Sequence, residues 1–180
     1  MLAEKYRELE NNVIDTLKEG QIKLGYSPET VRLYYPLESL NRFLKEECTV
    51  EQMEERLAEF AAGVRGTLGD MKISHKGSRF CLAIPPEGMK YVHAHTEEGE
   101  FLVSFIRTIE KHDCTIEKLL EVFSRDSKKV HVEEMRDGEF DYLVYFEDGI
   151  PDGYRYCITE EGCHMTYHRF SKEDYEEFGF

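Results

Sequence analysis

The chain has 180 residues, 41% hydrophobic and 33% charged, a balance that suits a soluble globular protein with its own core and argues against long disorder. Its 23 Lys and Arg against 37 Asp and Glu give a formal charge of -14, which speaks against a nucleic-acid backbone as partner, because phosphate binding needs clustered cations. No apolar run approaches the ~18 residues of a membrane-spanning helix.

The acid is unevenly spread. Residues 1–66 carry 13 acidic and 9 basic side chains, residues 67–127 carry 10 and 8, and residues 128–180 carry 14 and 6. Cys48, Cys81, Cys114, Cys157 and Cys163 are odd in number and scattered, which fits neither a disulfide framework nor a zinc finger and suggests reduced thiols in a cytoplasm. The stretch from Met1 to Glu10 is charged throughout and lacks the apolar centre of a signal peptide.

Leu2, Tyr6, Leu9, Val13 and Leu17 recur at steps of four and three, so the pattern predicts an amphipathic helix from residue 2 to about 19. Ser27-Pro28-Glu29 reads as a helix start and predicts a short helix to Tyr35, with Pro36 opening another. Thr49 and Gln52 have capping-box spacing, and Met53, Leu57, Phe60, Ala61 and Val64 then share one helical face. Gly63, Gly66 and Gly69 follow a helix and lead to a strand, the reverse of a phosphate loop, and read as helix termination.

Met71 and Ile73, then Phe80, Leu82 and Ile84, alternate around His75–Ser78 and predict a β-hairpin ended by Pro85-Pro86. Beyond it Thr96 is a candidate cap for a helix whose inner face is Phe101, Leu102, Phe105, Ile106 and Ile109, and Ile116, Leu119, Leu120 and Phe123 mark a second. From Lys129 the period becomes two. A three-residue Arg136-Asp137-Gly138 loop would pair Val130 with Val144 and Val132 with Tyr142, so that Val130, Val132, Tyr142, Val144 and Phe146 share a face and Glu134 avoids Asp141. A second hairpin centred on Glu160-Glu161 sets Tyr154, Tyr156 and Ile158 opposite Tyr167, Met165 and Cys163, leaving Arg155, Cys157, His164 and Thr166 on a polar face. Ser171 begins a short closing helix.

These elements predict a single α+β domain: a helical N-terminal part over residues 1–66, then, over 67–180, an antiparallel sheet of hairpins with two central helices packed on one face.

Chemistry concentrates between Pro85 and Glu100. His93 and His95 on an extended segment would point the same way, and Glu97, Glu98 or Glu100 could add a carboxylate, so His93, His95 and Glu100 form the candidate metal set for a divalent ion. The spacing Gly88-x4-His93-x-His95-x4-Glu100 resembles the first metal motif of the cupin family, whose histidines and glutamate hold iron, manganese or zinc inside a β-barrel. The helical stripe from Phe101 departs from that motif, and Tyr154, Arg155 and Tyr156 stand where its second histidine would follow Pro151-Asp-Gly153. Cys157 opposite His164 would form a thiol–imidazole pair, although an open sheet face lacks the shaped, electropositive setting of a catalytic thiol. In size and helices-then-sheet order the chain resembles small uncharacterised bacterial proteins grouped as a domain of unknown function, a resemblance that brings no activity.

The leading functional reading is therefore a non-enzymatic, protein-binding module of interaction, inhibitor or immunity type. Its acidic C-terminal sheet would face a basic partner through Glu133, Asp141, Arg155, His164 and His168. A metal-dependent enzyme built on His93, His95 and Glu100 is the alternative, and a small-molecule pocket between the central helices and the sheet is the second.

Overall fold

The computed structural model describes residues 4–135 and 138–178. It is an α+β structure whose strands form two antiparallel sheets. The chain divides after Thr96 into two compact units, each described by itself.

In the first unit, α1 (Arg7–Leu24) buries Leu9, Val13 and Leu17 along the expected stripe. The helix expected from Ser27 to Tyr35 is instead strand β1 (Val31–Pro36), in which burial alternates along the chain. Its residues pair with those of β3 (Arg79–Ile84), Leu33 with Leu82 and Tyr35 with Phe80. The β-branched and aromatic side chains find a cross-strand partner there that a local helix-start signal cannot reveal. Pro36 does open α2 (Leu37–Leu44), and α3 (Val50–Gly63) carries the expected capping box, with Gln52 N donating to Thr49 Oγ1 and Thr49 N to Gln52 Oε1.

A single turn of helix, α4 (Arg65–Leu68), leads to β2 (Lys72–Lys76). The β2–β3 hairpin closes through Gly77-Ser78, with Gly77 at φ +58°, a left-handed conformation that favours glycine. The sheet order is β1-β3-β2, and Phe60, Phe80, Leu82 and Ile84 are fully buried beneath it. Helix α5 (Pro86–Ala94) approaches α4 so closely that a Cβ on Gly88 would stand 2.5 Å from the Leu68 carbonyl oxygen.

The second unit holds α6 (Phe101–Ile109), α7 (Ile116–Asp126), a sheet in the order β4-β5-β6-β7, and α8 (Lys172–Phe178). The strands are Val130–Glu134, Tyr142–Phe146, Arg155–Glu161 and His164–Phe170. Phe101, Phe105 and Phe123 from the two helices meet Phe146, Tyr156 and Tyr167 of one sheet face, with ring centroids 4.7–5.7 Å apart. Most of these rings meet edge to face, which adds to their burial.

Both C-terminal hairpins keep the expected faces and change the expected register. Val130 pairs with Phe146 and Val132 with Val144, and Met135 N extends the ladder by donating to Asp141 O at 2.8 Å. The connection is longer than three residues because Phe140 turns under the sheet and is buried there. Of the expected loop, Arg136 and Asp137 lie outside the described residues.

In the second hairpin the turn moves from Glu160-Glu161 to Gly162-Cys163, with Glu161 opposite His164 and Gly162 at φ +65°. Glycine is the residue that tolerates that first turn position, so it sets the register and removes Cys163 from the strand. Both shifts are even in strand parity, which is why the core face survives them.

Candidate functional site

The sequence places His93 and His95 on an extended segment, but Pro86 starts a helix there, its fixed φ suiting the first helical position. His93 falls in the last turn of α5 and stacks on Tyr26 at 4.5 Å between centroids. His95 follows as the C-cap residue, its Nδ1 2.8 Å from Tyr91 O and its ring 4.0 Å from the Tyr91 ring. Aromatic rings thus engage both imidazoles. Thr96 does not cap α6: its hydroxyl donates to Val92 O, and the N-cap is Glu100, whose Oε1 accepts from Glu97 N at 2.7 Å.

The acidic sheet assembles more of the expected surface. Glu133, Leu143, Cys157 and His168 are successive cross-strand partners and form one row across all four strands, on the face away from α6 and α7. Cys157 therefore pairs with His168 and not with His164. Burial pushes its thiol up to about 11, so it stays protonated and unreactive at neutral pH. Arg155 lies 3.7 Å from the centroid of the Tyr145 ring, on which His131 also stacks. Asp141 has a structural task, accepting from Glu160 N at 2.7 Å and so fastening β5 to β6.

Beside this row lies an open groove of about 360 Å³. Phe140, Phe170 and Phe178 supply its apolar lining, and Glu139, Glu161 and His168 its polar one. Phe178 is 63% exposed.

On the opposite face, where the sequence suggested a small-molecule pocket, rings of α6 and α7 pack against rings of the sheet. A polar network adjoins them. Tyr156 Oη donates to Asp152 Oδ2 at 2.6 Å, and Arg169 stands 3.7 Å from the same oxygen. Their burial and the neighbouring Asp152 carboxylate drive the Tyr156 phenol well above its ordinary value of 10.0.

A third cluster joins two connections of the second unit. His112, between α6 and α7, and Cys163 and His164, at the β6–β7 turn, hold their ligand atoms within 4.8 Å of one another. The two imidazoles lie 4.6 Å apart between centroids.

A family described as a domain of unknown function, E. rectale gene description (DUF3877), matches residues 6–179. The chain belongs to the DUF3877 family. No curated protein matches it, and no solved structure does.

For this DUF3877 chain the family description names no activity, so chemistry must be read from the side chains. Of the expected partner residues, Glu133 and His168 share a row, with His168 in the groove, while Arg155, Asp141 and His164 have separate surroundings. Sequence reading missed Phe140, Phe178 and Glu139 as groove residues and the association of His112 with Cys163. The adjacency of Cys163 and His164 was the available signal. His112 lies about fifty positions earlier, and only the packing of α6 on β7, seen in the Phe105–Tyr167 contact at 4.9 Å, brings it near. No helix among the described residues is long and apolar enough to cross a membrane.

Proposed function

We propose that the DUF3877 chain is a protein-binding module whose second unit takes a basic partner segment in the Phe140–Phe170–Phe178 groove. The observation that carries this reading is that the groove sets the exposed Phe178 ring and the half-buried Phe170, over a buried Phe140, beside Glu139 and Glu161. Aromatic faces attract cations and carboxylates pair with them, so an Arg or Lys side chain meets complementary chemistry on both walls. The surrounding residues 128–180, with 14 acidic and 6 basic side chains, extend that field and favour fast, salt-sensitive encounter with a basic protein. The same charge opposes a nucleic-acid partner. Five free cysteines support a reducing cytoplasm as the setting.

The test is binding of a fluorescently labelled Arg-rich peptide, followed by anisotropy. Glu139→Gln with Glu161→Gln is expected to weaken binding about tenfold, the order expected of charge pairs at an interface. Glu117→Gln with Glu121→Gln, which removes the same charge from α7, leaves it nearly unchanged. Equal weakening by both pairs would reduce the effect to unspecific attraction and defeat the reading.

A further inference from the structure

We propose that His112, Cys163 and His164 form a zinc site with three protein ligands and one position open to water. This site is separate from the groove and does not depend on the partner-binding reading.

The donor set is specific. One thiolate and two imidazoles suit zinc, a borderline-soft ion, far better than calcium or magnesium, which take oxygen ligands. Zinc bonds of about 2.0–2.3 Å in a tetrahedron put ligand atoms roughly 3.3–3.8 Å apart. The three atoms here lie within 4.8 Å of one another, so modest rotations about side-chain bonds complete the geometry. All three side chains are exposed and can make those rotations without disturbing the core.

The backbone beneath them is held in place. Cys114 N donates to Lys111 O at 3.0 Å and Lys118 Nζ to Asp113 O at 2.7 Å, which closes the connection that carries His112. The Glu161–His164 pair and the left-handed Gly162 fix the turn that presents Cys163 and His164. Phe105 of α6 packs on Tyr167 of β7 and ties the two segments together. Among the described residues, no hydrogen-bond partner engages the Cys163 thiol or either imidazole. Binding would convert the Cys163 thiol to a thiolate with release of one proton, so affinity rises with pH.

The experiment is titration of chelator-treated, reduced full-length protein with Co²⁺ alone, followed by displacement with Zn²⁺. The expected result is one Co²⁺ per chain with a thiolate-to-cobalt absorption in the near ultraviolet, bleached by zinc. Cys163→Ser should abolish that absorption, and His112→Ala and His164→Ala should each weaken binding by about tenfold or more. Cys81→Ser, in the first unit, should leave it intact. Circular dichroism establishes that each variant is folded. Absence of saturable binding, an absorption that survives Cys163→Ser, or binding indifferent to both histidine variants would overturn the site, as would its loss on changing His93 or His95 instead.

Discussion

The two units differ in how they dispose of charge. In the first, acid is answered locally: Glu46 receives Arg56 at 2.8 Å and Lys5 at 3.4 Å, Glu59 lies 3.6 Å from both Lys5 and Arg56, and His75 meets Glu54 at 3.0 Å. In the second, Glu98, Asp113 and Asp148 also meet Arg107, Lys118 and Lys129, and Arg169 with Asp152 is an ion pair withdrawn from water, its side chains 6% and 11% exposed, yet residues 128–180 still carry 14 acidic against 6 basic side chains. A surface whose charges answer one another is complete on its own account. A surface with aromatic rings among surplus carboxylates is where a partner is worth seeking.

The two cores respond most strongly to substitution, each in its own way. Phe105 touches Phe123, Tyr156 and Tyr167, so Phe105→Ala should cost about 3–5 kcal/mol by lost burial and cavity formation. Denaturant unfolding measures the loss, and hydrogen exchange should rise most in β4–β7. In the first unit the sensitive point is a missing atom. Gly88→Ala drives a methyl against Leu68 O and Ile84 Cγ2, 2.5 and 2.7 Å from its built position, and should cost about 1–3 kcal/mol as an overpacked contact. An unchanged melting temperature would show that α4 and α5 separate easily.

Titration acts more gently, on one group from each unit. The Arg56 guanidinium, hydrogen-bonded to Glu46, holds that carboxyl at about 2, below its ordinary 4.5. The pair's contribution is therefore full above the ordinary value and is lost as pH falls from there through about 2. Tyr156 behaves in the opposite sense: burial raises its phenol above 10.0, so stability is full below that pH and falls as pH climbs beyond it, where the unfolded chain releases a proton that the folded one keeps. Glu46→Gln should flatten the acid limb of a melting-temperature profile and Tyr156→Phe the alkaline limb. With no tryptophan and eleven tyrosines in the chain, the difference in tyrosine absorbance between the unaltered chain and Tyr156→Phe follows the second.

What was legible in the sequence follows from which interactions are local. The capping box at Thr49 and Gln52 and the apolar stripes of α1, α3, α6 and α7 are written within one helix and appear where expected. Strand β1 is written between segments: the Ser27-Pro28 signal is local, whereas the pairing of Val31–Pro36 with β3 lies about fifty residues away. Alternation fixed the faces of β4–β7 but left register free by even steps, so Cys157 met His168 in place of His164. Pro86 could end a strand or begin a helix, and both occur, which turned the expected extended histidine pair into the end of α5. The His112 cluster needed the register and the helix packing together.

The free edge of strand β4 bears on behaviour at high concentration. It terminates its sheet, and Val132, 44% exposed, sits there beside exposed Glu133 and Glu134. A strand at a sheet edge invites a second chain to pair along it, and two copies meeting there would bring their glutamate pairs together. Mutual repulsion would oppose that pairing. Replacing Glu133 and Glu134 by threonine should let larger species appear in sedimentation as concentration rises, making these carboxylates guardians of solubility as well as members of an acidic surface.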